Sequence, residues 1–270
     1  LTTKETFALA VQNQQKGNLK VAEDFYKEIL KKNSEHLPSH NNLGNTLLKL
    51  GKKQEAINCF LKVLEIKPDS EHAHFNLGNT LELMGQHQEA TSHYRKTIEI
   101  NPNFAKANIN LGRILNTLGK NNEAIQYIKK AISIKPNYPE AHNNLGNVFK
   151  GLGEYDKAIN YQEQAIQINS RYADAYYNLA TIFEELSEFE KAIKYYLKVI
   201  DIRPEHPNAY NNLLFNTCWS NDNEKYLKIA KKYYEAIPKY DERRSTHYKT
   251  SGQKILKVGF VSGDFRNHSV

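Results

Sequence analysis

The stretch Asn42-Leu43-Gly44-Asn45 returns 34 residues later as Asn76-Leu77-Gly78-Asn79. Related copies that begin with Asn-Leu follow at the same spacing, at Asn110, Asn144, Asn178 and Asn212. Alanine forms a second series at this spacing, made of Ala22, Ala56, Ala90, Ala124, Ala158 and Ala192. A fixed period of 20–50 residues indicates that one small supersecondary unit is stacked many times.

A period of 34 residues is typical of tetratricopeptide repeats, whose unit is a helix–turn–helix pair. In this register the units span 3–36, 37–70, 71–104, 105–138, 139–172 and 173–206. Each second helix ends near a proline, which cannot continue a helix, in the units that carry Pro68, Pro102, Pro136 and Pro204. Each first helix ends near a glycine suited to a left-handed turn, namely Gly51, Gly85, Gly119 and Gly153. We therefore predict an all-α chain that forms a right-handed tetratricopeptide-repeat superhelix.

Small residues recur where the two helices of a unit should touch. Gly112, eight residues into its unit, and Ala124, twelve residues later, are one such pair. The lack of a large side chain at both positions predicts a close approach of the first helix to the second.

The six asparagines at the start of the copies share one position on the first helix. A carboxamide carries two donors and an acceptor, which match the N–H and C=O groups of an extended peptide. Repeat faces commonly bind partners, so we predict a concave groove that binds protein or peptide through Asn42, Asn76, Asn110, Asn144, Asn178 and Asn212. Helix capping or contacts between repeats are the alternative role of these amides. The residue before each asparagine is never lysine, which disfavours a clamp for a terminal carboxylate.

Composition narrows the remaining functional classes. The net charge is +7, but lysines and acids are interleaved through the repeats, which disfavours nucleic-acid binding. His40, His74 and His142 share one repeat position, too far apart to hold a common metal ion, and are assigned to packing between helices. No metal site is predicted. Two cysteines, no secretory signal and no membrane-length apolar run favour a cytoplasmic protein.

The repeat pattern fades after residue 214. Residues 207–238 resemble an incomplete seventh repeat with a capping helix, and polar residues 239–254 are predicted to be a linker. Ile255 to Val261 has the apolar composition of a β-strand, and a glycine-containing polar turn follows it. We therefore expect one C-terminal β-strand, the first of a truncated α/β domain at 255–270.

The last fourteen residues, Lys257-Val-Gly-Phe-Val-Ser-Gly-Asp-Phe-Arg-Asn-His-Ser-Val270, resemble the opening of the catalytic region in O-GlcNAc transferase-like proteins of the bacterial, SPINDLY-like branch. In that family two Rossmann-like lobes bind a nucleotide sugar and glycosylate Ser or Thr. The resemblance implies that His268 lines the active-site cleft. It also implies UDP-GlcNAc, or alternatively GDP-fucose, as the donor of the parent protein. Residues 1–270 lack the nucleotide-binding lobe, so no cofactor and no catalysis are expected from them alone.

The resemblance thus implies a substrate-recognition arm of a protein O-GlcNAc transferase. Two alternatives are an arm of a protein O-fucosyltransferase and a non-enzymatic scaffold for protein–protein interaction. The expected partners are protein or peptide substrates, without a membrane. Assembly into a homo-oligomer through the repeats is compatible with the same pattern.

Overall fold

Helices account for the regular structure of residues 1–219, which together with Lys228 are the residues that the computed structural model describes. The predicted linker, the predicted β-strand and His268 lie outside the described residues. The helices are α1 (Thr3–Gln15), α2 (Leu19–Lys32), α3 (Leu37–Lys49), α4 (Lys53–Ile66), α5 (Glu71–Leu83), α6 (His87–Ile100), α7 (Ala105–Thr117), α8 (Asn121–Ile134), α9 (Pro139–Gly151), α10 (Tyr155–Ile168), α11 (Ala173–Glu185), α12 (Phe189–Ile202) and α13 (Pro207–Trp219).

The helices pack as a solenoid of antiparallel pairs. Each odd-numbered helix from α3 to α11, the first of its unit, packs against the second helix of its own unit and the second helix of the unit before. Neighbouring first helices also contact each other: α7 contacts α9, and α9 contacts α11. Within residues 1–219, no two second helices pack against each other in this way. The first helices therefore lie on the inside of the curve, and we call their surface the inner wall. The right hand of the superhelix stays a prediction.

The glycines of the first helices allow the predicted close approach. A Cβ atom added to Gly112 would lie 2.5 Å from Ile128 Cγ1 and 3.1 Å from the backbone oxygen of Ala124. At Gly44 a Cβ would lie 2.5 Å from the Phe60 ring. The sequence register is confirmed at these contacts, because only a hydrogen fits where the helices of a unit cross.

The turn inside each unit uses a left-handed residue. The four predicted glycines have positive φ, and so does Gly17, one period before Gly51. One period after Gly153, the turn is formed by Ser187, the one non-glycine residue with positive φ in the described part of the chain, at 60°. A side chain in this conformation costs about 1–2 kcal/mol, so this turn carries strain that the other turns avoid.

Ser187→Gly is expected to stabilise the last repeats. Removing the Cβ relieves the left-handed strain, and the gain is reduced by the extra freedom of glycine in the unfolded chain. The free energy of unfolding, measured by urea denaturation, should rise by about 0.5–1 kcal/mol. Ser92→Gly, inside α6, is the control and should lower it by about 0.5 kcal/mol. An unchanged or lower value for Ser187→Gly would contradict the assignment of strain to this turn.

Candidate functional site

The inner wall is rich in amides and poor in charge. The six helices α3, α5, α7, α9, α11 and α13, of 13 residues each, contain 16 asparagines and 10 charged residues. Several of these charges are neutralised in pairs: Glu82 is bonded to Arg113, and Lys150 Nζ lies 3.0 Å from Glu185 Oε1. A partner on this wall therefore meets hydrogen-bonding groups in a nearly uncharged surface.

The asparagine series follows the first helices along this wall. Asn42, Asn76, Asn110, Asn178 and Asn212 are half-buried. Asn144 is only 8% exposed, so the expectation of an exposed amide is wrong at this position. Its helix α9 packs closely against both α7 and α11, which covers the side chain. That the series binds a peptide stays a prediction.

Tyrosines of the preceding repeat occupy the amide donors of two members. Asn212 Nδ2 donates to the hydroxyl of Tyr196 at 2.9 Å and to that of Tyr177 at 3.3 Å. Asn110 Nδ2 lies 2.9 Å from Asn79 Oδ1 and 3.3 Å from the Tyr94 hydroxyl. These contacts join consecutive repeats, as in the alternative role that the sequence left open.

Two further members of the series make comparable contacts. Asn178 Nδ2 donates to Asn143 Oδ1 at 2.8 Å, and Asn42 lies beside Tyr26. For Asn110, Asn178 and Asn212, therefore, one side of the carboxamide is bonded to the repeat before. Their Oδ1 atoms are neither bonded within the described residues nor buried, so the acceptor side is open.

The residue sixteen positions earlier varies along the series. Tyr94 and Tyr196 stand there for Asn110 and Asn212 and accept from them. Gln162 stands there for Asn178, which bonds to Asn143 instead. Phe60 stands sixteen residues before Asn76, and Ile128 stands sixteen residues before Asn144. Neither ring nor alkyl group can accept a hydrogen bond. Asn76 accordingly makes no side-chain hydrogen bond within residues 1–219, and Asn144 Nδ2 is buried without a partner.

Glutamates that the sequence reasoning missed fix these tyrosines. Tyr196 donates its hydroxyl to Glu184 Oε2 at 2.6 Å, and the Tyr94 hydroxyl lies 2.9 Å from Glu82 Oε2. Burial raises the pKa of Tyr94 and of Tyr196 far above the ordinary phenol value, so both hydroxyls keep their protons. The signal was present in the sequence, because each glutamate precedes its tyrosine by twelve residues.

An open cavity of about 710 Å³ lies on the wall between the fifth and sixth units. Asn147, Asn178, Lys150, Tyr155 and Glu185 are among its lining residues. The amides of Asn178, a member of the series, and of Asn147 thus border a space large enough for peptide side chains. Lys150 also donates to Thr181 Oγ1 at 2.8 Å, which ties the cavity rim across the two units.

The histidines of the shared repeat position close the turn of the preceding unit. The Nε2–H of His40, His74 and His142 donates to the backbone oxygen six residues earlier, at 2.8, 3.1 and 2.9 Å respectively. Within residues 1–219 no group of three His, Cys, Asp or Glu side chains is arranged to hold a metal ion. Burial raises the pKa of the Cys59 thiol to about 11, which leaves it unreactive at neutral pH.

His74 and His93 form a pair from which we predict a sensitivity of the array to acid. Their Nδ1 atoms lie 3.0 Å apart. Because His74 donates its Nε2–H to Pro68, its Nδ1 accepts from His93. Burial lowers the pKa of His74, where Lys96 opposes protonation and Glu99 favours it. Burial beside His74 also lowers the pKa of His93.

A lowered pKa means that the folded state prefers both rings neutral. This contribution to stability is complete above the unfolded histidine pKa of about 6.5 and is lost as the pH falls through the lower folded values. The urea midpoint should therefore decrease between pH 8 and pH 5. His93→Phe should flatten that decrease, whereas His72→Gln, at an exposed ring, should not. Equal slopes for His93→Phe and the unaltered chain would exclude the pair as the cause.

Comparison with known proteins identifies the repeats. Family models described as tetratricopeptide repeats match residues 39–103 and 138–205, 112–153, and 93–126. Residues 39–205 are a tetratricopeptide-repeat region. A search of curated proteins finds none that matches the chain. Repeat regions of this architecture are scaffolds for protein interaction.

Solved repeat structures share the fold. MamA is 27% identical with a TM-score of 0.56, over 61% of this chain and 96% of its own. YrrB, a tetratricopeptide-repeat protein, is 24% identical with a TM-score of 0.54, over 69% and 96% of the two chains. The pilF protein of Pseudomonas aeruginosa is 20% identical with a TM-score of 0.65, over 77% and 94%. Within the described tetratricopeptide-repeat region and its flanks, no helix is long and apolar enough to span a membrane.

Proposed function

We propose that the repeat array binds an extended segment of a partner protein along its inner wall. The observation that carries this proposal is the asparagine series, in which every member except the buried Asn144 presents an open carboxamide oxygen at an equivalent point of its first helix. A wall of this kind binds the peptide backbone, whose N–H and C=O groups are common to nearly all peptide sequences. Side-chain preferences then arise in spaces such as the cavity beside Asn178.

The low charge of the wall supports backbone recognition. An acidic or basic peptide would require unpaired opposite charges, whereas Glu82 and Arg113 neutralise each other, as do Lys150 and Glu185. A partner bound mainly through uncharged hydrogen bonds is little affected by ionic screening. YrrB offers support by likeness of fold, since its structure is described as having an unusual peptide-binding site.

Peptide display provides the test. A random library of 15-residue peptides is selected on the purified chain, and the affinity of the best binder is measured by fluorescence anisotropy. We expect its Kd to change less than about threefold between 50 and 500 mM NaCl, because screening acts chiefly on exposed charges. A library without any binder would refute the proposal. A binder that is lost at high salt would show that charges, and not the asparagine series, hold the peptide.

We further propose that the array is the substrate arm of an O-GlcNAc transferase-like enzyme in the cytoplasm. The support is the sequence of residues 257–270, quoted above, at the end of a repeat array. In the transfer, the Ser or Thr oxygen of the substrate bonds to C1 of the sugar and the nucleoside diphosphate leaves with the bonding electron pair. The hydroxyl proton passes to a base, and an imidazole such as His268 is suited to relay it near neutral pH.

The full-length protein tests this finer proposal. With UDP-GlcNAc and a protein bound by the repeats, it should transfer the sugar, and His268→Ala should lower turnover about tenfold or more while peptide affinity is unchanged. Activity with GDP-fucose alone would change the donor to fucose. A full-length protein that takes neither nucleotide sugar, yet still binds peptide, would leave the non-enzymatic scaffold as its function.

A further inference from the structure

Two members of the asparagine series are oriented by the repeat before them. At the end of the array, Glu184 accepts the hydroxyl proton of Tyr196 at 2.6 Å, and Asn212 lies 2.9 Å from the same hydroxyl oxygen. In the middle, Glu82, Tyr94 and Asn110 are related in the same way, at 2.9 and 3.3 Å. Here Asn79 Oδ1 is a further acceptor, 2.6 Å from the Tyr94 hydroxyl and 2.9 Å from Asn110 Nδ2, so that the NH₂ group of Asn110 faces Asn79. Each chain of three groups runs from the first helix through the second helix to the first helix of the next unit.

The chemistry of these groups leaves one orientation for the carboxamide. A carboxylate can only accept, so the single hydroxyl proton of Tyr196 faces Glu184. The tyrosine oxygen then acts as an acceptor toward the asparagine, which must present its NH₂ group. At Asn212 the Tyr177 hydroxyl is a second acceptor for that group, at 3.3 Å. The Oδ1 atom is therefore the part of the amide that remains for a partner.

We propose that Asn110 and Asn212 act toward a bound peptide only as hydrogen-bond acceptors, so that the peptide must offer a backbone N–H at these two points. The proposal rests on peptide binding along the inner wall. It makes Tyr94 and Tyr196, with their glutamates, determinants of specificity that do not touch the peptide. Proline, which has no N–H, is excluded from the peptide positions that face these asparagines.

Asn76 provides the contrast within the same wall. Phe60 stands where the tyrosines stand, and Leu48 stands twelve residues before it, so neither the hydroxyl nor the carboxylate is present, and the Asn76 side chain makes no hydrogen bond within residues 1–219. The carboxamide of Asn76 is free to offer either its oxygen or its NH₂ group. The wall thus has acceptor-only positions and adaptable positions, which fixes where a proline-containing segment can be tolerated.

Ester substitution in the peptide tests the inference. The peptide selected from the 15-residue library is synthesised as a series in which one backbone N–H at a time is replaced by an ester oxygen. For the unaltered chain, one ester should weaken binding about tenfold through its loss of a hydrogen bond to Asn212. That loss should disappear in Asn212→Ala, which identifies the pair.

Tyr196→Phe then separates orientation from simple contact. Phenylalanine already occupies the equivalent position at Phe60, so the fold accommodates it. Tyr177→Phe is added to remove the second acceptor, and Phe75 already stands at the equivalent position. Without both hydroxyls, Asn212 can turn its NH₂ group toward the ester oxygen, and the tenfold loss should shrink to about threefold or less. Leu48→Glu with Phe60→Tyr should create the opposite change at Asn76, a new loss of about tenfold for one ester.

Each negative result of these experiments has a different interpretation. If no ester couples to Asn212, or if Tyr177→Phe with Tyr196→Phe retains the full tenfold loss, the acceptor-only inference is wrong while peptide binding by the wall stands. If the library yields no peptide that binds, the proposed function fails, and the inference fails with it. Circular dichroism of the two double variants confirms that the helices are retained before affinities are compared.

Discussion

Gly112→Leu is expected to lower the free energy of unfolding by about 3 kcal/mol, the upper part of the range for overpacking. The first atom of the new side chain would lie 2.5 Å from Ile128 Cγ1 and 3.1 Å from the Ala124 backbone oxygen. The isoleucine can move, but the backbone of α8 cannot do so without separating from α7. Because each repeat is stabilised by its neighbours, the damage in the fourth unit divides the array.

Urea denaturation followed by circular dichroism measures this effect. We expect the single transition of the unaltered chain to become two, one for each half of the array. Gly119→Ala is the matched control in the same unit, since its Cβ would meet nothing within 4 Å and only the φ of +74° opposes it. That change should cost about 1 kcal/mol and leave one transition. An unchanged midpoint for Gly112→Leu would show that the helices do not meet at this glycine.

Replacing Asn76, Asn110 and Asn178 together by alanine should weaken peptide binding about thirtyfold or more. Each lost hydrogen bond to the peptide is worth about 0.5–1.5 kcal/mol, and the three sites lie on successive or alternate first helices. Fluorescence anisotropy with the library-selected peptide gives the affinity. Asn144→Ala should change the affinity little, because that amide is buried.

Stability separates the two roles of the series. Asn76→Ala should leave the melting temperature unchanged, since the side chain has no partner within the described residues. Asn110→Ala and Asn178→Ala should each cost about 1 kcal/mol, because each removes a donor to the preceding repeat. Asn103→Ala, in an exposed turn, is the control for both measurements. A triple variant that is destabilised but binds peptide as before would reduce the series to a purely structural role.

The period of the sequence was sufficient to predict the repeat register. Gly51 and Pro68 mark the ends of α3 and α4 to within two residues, because backbone conformation at these points depends on the residue itself. Ser187 escaped the same reasoning, since serine does not signal a left-handed turn and only its place one period after Gly153 reveals it. The predicted β-strand and His268 fall outside the described residues and stay predictions.

The orientation of the asparagine amides could not be read from the sequence. It depends on which atom of Tyr196 faces Asn212, and those residues belong to different units and different helices. The burial of Asn144 likewise follows from how tightly three first helices pack, a property of the stack and not of the residue. Periodicity therefore located the candidate site, and packing between units determined which of its atoms are available.

Photo-cross-linking tests the central claim, that a partner peptide lies along the inner wall. The library-selected peptide is prepared with benzoylphenylalanine at successive positions, irradiated with the chain, and the linked residues are found by mass spectrometry. We predict links to the first helices α5, α7, α9 and α11, advancing from one repeat to the next as the photoreactive group moves along the peptide. Links confined to the second helices α6, α8, α10 and α12 would contradict the account.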